Sequence, residues 1–205
     1  AGDALHITSK TADSAFWVVF SYSDVNPGAY YLYDANKKAI TRLFEQMPDL
    51  ADVELASTQP VSFPSFDKQM IHGYFTPAKT SGSKKPLVVN VHGGPHGIRD
   101  IWGFDPEVQL LANAGYSVLQ INYRGSGGYG EDFLQAGYLQ WGDAIQRDII
   151  AGTEWAISSG MADADNICII GGSFGGYSAL QSATLAPDLF RCAVGVAGVY
   201  DLNIM

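Results

Sequence analysis

The sequence predicts an α/β protein with a mostly parallel sheet, preceded by a β-rich segment. From residue 86 onward, strand-like and helix-like segments alternate, which is typical of a parallel sheet covered by helices. The run PLVVNVH at 86–92 is continuously apolar, as expected for a strand that is buried on both faces. The first 60 residues are instead rich in aromatic and β-branched residues. We therefore divide the chain into a β-rich segment, residues 1–60, and an α/β segment, residues 61–205.

The β-rich segment begins with a predicted hairpin. Residues 16–24 and 29–35 have strand composition, and Asn26-Pro27-Gly28 between them is a strong turn signal. Residues 37–44 can supply a further strand. This pattern is typical of one blade of a larger all-β structure, because a lone blade buries little apolar surface.

The α/β segment begins with a predicted hairpin at 61–79 and a Gly/Ser/Lys loop at 80–85. Asp105 and Pro106 form a typical helix start, with a capping carboxylate followed by proline at the first helical position. The predicted strands are 86–92, 116–124, 165–172 and 191–199. The predicted helices are 105–115, 141–160 and 174–186.

Composition excludes several classes of protein. The formal net charge of −9 argues against a nucleic-acid partner or an anionic membrane partner. No apolar run approaches the roughly 20 residues that cross a bilayer. The first ten residues, AGDALHITSK, lack the basic and apolar regions of a signal peptide. We expect a cytoplasmic protein, or a periplasmic one if a longer parent carries a signal.

The two cysteines, Cys168 and Cys192, lie in strand-like apolar runs. We expect them to be buried thiols of the core. Two cysteines provide neither a disulfide framework nor the spacing of a zinc site. The sequence indicates no metal and no organic cofactor.

A serine flanked by glycines follows the strand at 165–172. Gly171-Gly172-Ser173-Phe174-Gly175 has the Gly-x-Ser-x-Gly pattern of the nucleophile elbow in α/β-hydrolases, and it lies between a predicted strand and a predicted helix. Residues two positions away on either side must be small, because the turn brings them close together. The turn exposes the hydroxyl and directs the Phe174 N–H toward the same point. A plain Gly-rich turn or a phosphate loop is the alternative, but the Lys-Ser/Thr of a phosphate loop is absent.

A second motif, His92-Gly93-Gly94-Pro95-His96, directly follows the strand at 86–92. A turn of this type supplies the other oxyanion donor in hydrolases. We expect the Gly94 N–H to act together with the Phe174 N–H. We expect His92 to orient the loop rather than act as a base, and His96 to be an exposed loop residue.

Four motifs together resemble the prolyl oligopeptidase family, in its acylaminoacyl-peptidase and dipeptidyl-peptidase-like branch. They are HGGPHG at 92–97, NYRGSGGYGEDF at 122–133, WGDAIQRDI at 141–149 and GGSFGGYSAL at 171–180. The resemblance implies an N-terminal β-propeller that ends near residue 60, joined to an α/β-hydrolase domain. It implies Ser173 as nucleophile. It also offers the Tyr129 hydroxyl as a further group that faces the oxyanion, and the alternative for Tyr129 is an aromatic that packs the loop.

The triad is incomplete in this sequence. In α/β-hydrolases the order is Ser, then Asp or Glu, then His, but His6, His72, His92 and His96 all precede Ser173. Neither Asp188 nor Asp201 is a safe triad acid. Three explanations remain, in order of preference. The chain is a piece of a longer peptidase, or a non-catalytic relative used for binding, or an esterase-type hydrolase that recruits an unusual base such as His92 or His96.

The predicted function is therefore hydrolysis of short peptides through an acyl-enzyme on Ser173, with this chain alone inactive. An esterase or lipase and a non-catalytic binding or structural module are the alternatives. The expected partner is a short peptide substrate. We also expect the isolated chain to aggregate, to dimerise through the exposed edge of its last strand, or to associate with the remainder of a longer chain.

Overall fold

The computed structural model describes residues 2–79 and 86–202, so the loop predicted at 80–85 lies outside the described residues. The chain divides into two compact units. The first comprises Ala1–Thr58 and Trp102–Gln109, and the second comprises Gln59–Ile101 and Leu110–Met205. The change from one unit to the other after Thr58 lies close to the boundary predicted at residue 60.

The first unit is a four-stranded antiparallel sheet in chain order. Its strands are β1 (Ala4–Lys10), β2 (Phe16–Ser23), β3 (Asn26–Asp34) and β4 (Ala39–Glu45). The predicted hairpin and the strand after it are present, and β1 is an additional strand. Aromatic side chains pair across the strands, with ring centroids 4.8 Å apart for Phe20 and Tyr30 and 4.7 Å apart for Tyr30 and Phe44. Such cross-strand pairs stabilise a sheet that has little other core.

The turn predicted at Asn26-Pro27-Gly28 is wrong. The turn consists of Asp24 and Val25, because Ser23 pairs with Asn26 and β3 begins there. The register between β2 and β3 shifts between Ser21 and Ser23, so that Tyr22 lies opposite both Pro27 and Gly28 in a β-bulge of β3. Gly28 has φ of 122°, so the glycine serves this irregular part of the strand rather than the turn.

The segment Trp102–Gln109 belongs to the first unit through a buried glutamine. The side-chain amide of Gln109 donates to the carbonyl oxygens of Asp24, at 3.0 Å, and Ala56, at 2.8 Å. Its oxygen accepts from the Ala56 N–H at 2.9 Å. Asp105 caps the helix that carries Gln109, as predicted, by accepting from the Glu107 and Val108 N–H groups.

The second unit contains a six-stranded mixed sheet in the order β10-β9-β7-β8-β6-β5. Its strands are β5 (Gln59–Pro64), β6 (Met70–Thr76), β7 (Leu87–Val91), β8 (Ser117–Asn122), β9 (Ile167–Gly172) and β10 (Cys192–Val196). The four strands β7, β8, β9 and β10 pair with one another in parallel. The pairs β5-β6 and β6-β8 are antiparallel. The α-helices of the described residues are α1 (Pro106–Asn113), α2 (Glu131–Gln135), α3 (Ala144–Ser158) and α4 (Phe174–Leu185), and a short 3-10 helix spans Pro48–Leu50.

The core of the second unit forms around the central parallel strands. The continuous apolar run at 86–92 predicts a strand covered on both faces, and β7 is buried apart from the half-buried Asn90. Every residue of the neighbouring strand β8 is buried as well. Ile145, Ile149 and Ala156 form the predicted buried face of α3. At the edge of the sheet, β10 alternates between half-buried and exposed residues, with Val194 45% and Val196 55% exposed. None of the described helices is long and apolar enough to cross a membrane.

The cysteine prediction is wrong. Cys168 and Cys192 lie at directly paired positions of β9 and β10, with their Cα atoms 4.7 Å apart, and they form a disulfide. Cys192 is exposed and Cys168 is half-buried. The number of cysteines could not predict the bond, because the bond depends on the register between two parallel strands that are 24 residues apart in sequence.

Candidate active site

Ser173 occupies a tight turn between the end of β9 and the start of α4. Its φ of 55° and ψ of −122° lie in a region that L-residues rarely adopt, and its side chain is exposed. The Ser173 N–H donates to the Val196 carbonyl at 2.9 Å, which ties the turn to β10. The turn therefore presents the hydroxyl at the carboxyl ends of the parallel strands.

The glycines on either side of Ser173 are required by close packing. A Cβ on Gly171 would collide with the backbone of Gly175 and would lie 2.7 Å from the Val91 carbonyl oxygen. A Cβ on Gly175 would collide with the same Val91 oxygen. The predicted reason for small residues two positions before and after the serine is therefore confirmed.

Phe174 begins α4, and its ring is buried. The ring packs against Trp141, Tyr123 and Tyr177, with centroid distances of 5.0 Å, 5.8 Å and 5.7 Å. The first amides of a helix have no acceptor within the helix, so the Phe174 N–H is a suitable donor to a negatively charged oxygen. The buried ring holds the backbone that carries this donor.

The His-Gly-Gly-Pro loop lies against the serine turn. A Cβ on Gly93 would lie 3.6 Å from the Ser173 Cβ and 3.3 Å from the Gly172 oxygen. Gly94 has φ of 123°, a conformation that favours glycine. Within residues 2–79 and 86–202, no group accepts a hydrogen bond from the Gly94 N–H. The structure thus brings the loop that carries the Gly94 N–H beside the turn that carries Ser173 and the Phe174 N–H.

His92 is largely buried, and both of its ring nitrogens have partners. Nδ1 lies 2.8 Å from the Gly93 oxygen, and Nε2 lies 3.0 Å from the Ser126 Oγ. Burial lowers the pKa of His92 from 6.5 to about 4. These contacts support the predicted orienting role and argue against His92 as a base.

His96 is not the exposed loop residue that we predicted. It is half-buried, and its Nε2 accepts a hydrogen bond from the Trp141 indole at 3.2 Å. Burial lowers the pKa of His96. Together with Tyr138, Leu139, Gly142 and Leu202, these two residues line a largely apolar cavity of about 770 Å³. Since the Trp141 ring also contacts the Phe174 ring, the cavity adjoins the residue that follows Ser173.

Tyr129 packs within the glycine-rich loop. Its hydroxyl accepts from the Asn122 Nδ2 at 2.9 Å, and its ring stacks on His72 with centroids 4.8 Å apart. The Arg99 guanidinium lies 5.6 Å from the centre of the same ring. Burial raises the pKa of Tyr129. These contacts favour the loop-packing alternative, and the oxyanion role of Tyr129 stays a prediction.

Sequence reasoning missed a buried ionic network behind the glycine-rich loop. The Arg124 guanidinium forms ion pairs with Asp148, which is fully buried, and with Asp67. Asp148 also accepts from the Ser65 hydroxyl at 2.5 Å and from the Arg124 N–H at 3.0 Å. The network joins the β5-β6 hairpin, the end of β8 and α3. Arg124 and Asp148 belong to two of the quoted motifs, but their sequence separation gave no sign that they meet.

The structure supplies no triad partner for Ser173. Among the described residues, no histidine nitrogen forms a hydrogen bond with the Ser173 hydroxyl, and no cluster of His, Cys, Asp and Glu suits a metal ion. The ring nitrogens of His92 have other partners, and His72 Nδ1 lies 2.9 Å from the Ser62 Oγ. Among the described residues, the turn at Ser173 and the two N–H groups predicted to bind an oxyanion are therefore present without a base.

Comparison with known proteins identifies the family. The model of the prolyl oligopeptidase family matches residues 102–205, half of the chain. The chain belongs to the prolyl oligopeptidase family. It is 36% identical to dipeptidyl aminopeptidase BIII of Pseudoxanthomonas mexicana over 97% of the chain and 30% of that relative. It is 40% identical to the acylamino-acid-releasing enzyme of Arabidopsis thaliana, over 62% of the chain and 17% of that relative.

Solved structures agree with this assignment. A puromycin-hydrolyzing peptidase of Mycobacterium tuberculosis superimposes with a TM-score of 0.82 at 28% identity, over 93% of this chain and 30% of that one. The chain thus spans about 30% of the length of the Pseudoxanthomonas mexicana and Mycobacterium tuberculosis relatives. The predicted fold is confirmed: an antiparallel β unit that fits part of a propeller, followed by part of an α/β-hydrolase domain.

Proposed function

We propose that the protein that carries this chain is a serine peptidase that uses Ser173 as its nucleophile. The single observation that carries the proposal is the turn itself. An exposed serine with φ of 55° stands between a strand and a helix, beside a His-Gly-Gly-Pro loop whose Gly94 N–H is unoccupied among the described residues. Such a serine is easily reached by a substrate carbonyl, and its oxyanion donors are already fixed.

The reaction follows from these positions. The Ser173 Oγ attacks the carbonyl carbon of the scissile amide while its proton passes to a base. The carbonyl electron pair moves onto oxygen, and the Gly94 and Phe174 N–H groups stabilise the resulting negative charge. Collapse of this intermediate breaks the C–N bond, the amine leaves with a proton, and water then hydrolyses the acyl-enzyme. The base and the acid that orients it are not among the described residues, and we place them in the part of the relatives that this chain does not span.

The substrate class is proposed from the relatives. Their names describe a dipeptidyl aminopeptidase, an acylamino-acid-releasing enzyme and a puromycin-hydrolyzing peptidase. The apolar cavity beside Phe174, lined by Trp141 and Leu139, can accept an apolar side chain of a peptide substrate. We therefore propose short peptides as substrates of the complete protein.

The test is labelling of the full-length protein with a fluorophosphonate, together with hydrolysis of dipeptidyl and N-acylaminoacyl p-nitroanilides. We expect Ser173→Ala to abolish labelling and to lower kcat by at least about 10⁴-fold. Ser158→Ala is the matched control, because that hydroxyl is also exposed and only donates to the Trp155 carbonyl. Labelling that persists in Ser173→Ala would overturn the proposal. Hydrolysis of p-nitrophenyl esters without any amide hydrolysis would favour the esterase alternative.

A further inference from the structure

An exposed arginine, Arg99, lies over an aromatic ring without an acidic partner. Its guanidinium is 5.6 Å from the centre of the Tyr129 ring, and it crosses Gly128 at a place where a Cβ would collide with its Nη1 atom. Within residues 2–79 and 86–202, no carboxylate lies within ion-pair distance of Arg99. Acidic residues outnumber Lys and Arg by 21 to 12 in the chain, so a positive charge left without one is unexpected.

The backbone beside Arg99 and the ring beneath it are held by one buried side chain. The amide of Asn122, which is fully buried, accepts from the Asp100 N–H at 2.8 Å and donates to the Asp100 carbonyl at 3.0 Å. The same amide donates to the Tyr129 hydroxyl at 2.9 Å. The guanidinium is therefore anchored at its backbone and supported by a fixed ring, which lowers the entropy lost when it binds a ligand.

The strand order gives the distance of this arginine from the nucleophile turn. Asn122 is the last residue of β8, Ser173 directly follows β9, and β7 lies between these two parallel strands. Two strand spacings of about 4.8 Å separate the strand ends by about 10 Å. The Tyr129 ring stacks on His72 of β6, the next strand away from β9, so the ring lies about 10–15 Å from the turn. An extended peptide covers that distance with about three or four residues.

We propose that Arg99 binds a carboxylate of the peptide substrate, about three or four residues from the bond that is hydrolysed. The inference rests on the proposed function of Ser173 and narrows its substrate class. A guanidinium binds a carboxylate through two parallel hydrogen bonds, and every peptide with a free C-terminus carries such a group. The carboxylate is that C-terminus or an Asp or Glu side chain. In the first case, the fixed distance selects peptides by their length after the hydrolysed bond.

The test compares charged and neutral peptides with the full-length protein. The peptides share one acyl part and lengthen by one residue at a time after the scissile bond, and each is made with a C-terminal carboxylate and with a C-terminal carboxamide. A second set, all carboxamides, carries Glu or Gln at successive positions. We expect kcat/KM for the charged member to exceed that for its neutral partner by about 10- to 100-fold at one length or one position, mainly through KM. A preference in the first set identifies the C-terminus, and a preference only in the second identifies a side chain.

Substitution of Arg99 shows whether this residue is the source of the preference. We expect Arg99→Gln to reduce the ratio of charged to neutral kcat/KM to about one, and Arg99→Lys to give an intermediate ratio, because an ammonium lacks the planar fork. Arg147→Gln is the matched control. That arginine also lies over an aromatic ring, Phe66, but it pairs with Asp143, and its loss should leave the ratio within about twofold of the parent value.

Binding to the Ser173→Ala protein provides a measurement that does not depend on hydrolysis. Isothermal titration calorimetry with the preferred charged peptide and its neutral partner should show the same preference in Kd, and Arg99→Gln in this background should remove it.

The outcomes separate this inference from the proposed function. If Ser173 is labelled and essential but no pair of peptides shows a preference, the carboxylate site is overturned and the proposed function stands. A preference that persists in Arg99→Gln places the carboxylate elsewhere and also overturns the inference. If the parent protein is not labelled at Ser173, the proposed function fails and the inference fails with it.

Discussion

The ion-pair network around Arg124 allows a quantitative comparison of two carboxylates that bind one guanidinium. Asp148 is fully buried, whereas the Asp67 side chain is 40% exposed. Asp148 accepts from the Ser65 hydroxyl and from three nitrogens of Arg124, with distances of 2.5 to 3.0 Å. Breaking a buried pair leaves an uncompensated charge and costs about 3–5 kcal/mol. An exposed pair contributes about 0–1 kcal/mol, because water screens it.

We therefore expect Asp148→Asn, which keeps the shape but loses the charge, to destabilise the second unit by about 3–5 kcal/mol. We expect Asp67→Asn to cost no more than about 1 kcal/mol, although it contacts the same guanidinium. The assay is hydrogen–deuterium exchange of peptides from α3. The slowest amides should exchange about 10² to 10⁴ times faster in Asp148→Asn and less than about 10 times faster in Asp67→Asn. Equal effects of the two substitutions would refute the argument that burial decides the energy.

Three further predictions follow from the site and the sheet edge. Gly175→Ala should prevent fluorophosphonate labelling of Ser173, because its Cβ collides with the Val91 oxygen, and labelled Gly175→Ala protein would contradict the packing argument. Gly103→Ala is the control and should leave labelling intact, because its Cβ would lie 3.7 Å from the Tyr22 ring, an ordinary contact. Non-reducing mass spectrometry should recover a peptide that links Cys168 to Cys192, and two free thiols in the unreduced protein would disprove the bond. Reduction should destabilise β10 by about 3 kcal/mol, because the bond closes a loop of 24 residues. The pKa of His92 is 6.5 in the unfolded chain and about 4 in the folded protein, so between these pH values only the unfolded state binds the proton. The free energy of unfolding should therefore fall by about 2–3 kcal/mol from pH 7 to pH 4.5, and His92→Gln should lose that part of the pH dependence.

Local patterns were sufficient to predict most elements of the fold. The continuous apolar run at 86–92 correctly predicted β7, and the cap formed by Asp105 correctly predicted the start of α1. The glycines around Ser173 predicted a tight turn with no room for side chains, and in the structure a Cβ atom added at Gly171 or Gly175 would clash with the backbone. These features depend on residues that are close in sequence, so a pattern read along the chain contains the necessary information.

Features that depend on register or on distant residues escaped prediction. Asn26-Pro27-Gly28 has the composition of a turn, but the pairing of Ser23 with Asn26 places the turn before it. The Cys168–Cys192 disulfide requires β9 and β10 to be neighbours in a particular register. A local pattern states what a segment can form, whereas strand register is decided by the packing of the whole sheet.

The sequence by itself determined the fold class, the tight turn at Ser173 and the loop that carries the Gly94 N–H, because glycine, serine and proline impose local backbone geometry. Only the tertiary structure decided which groups hold that geometry in place. It placed Ser126 and Tyr123 around His92, although they are 34 and 31 residues away in sequence. The backbone conformation of a short motif is a local property, but its hydrogen-bond partners are brought together by the sheet that carries them.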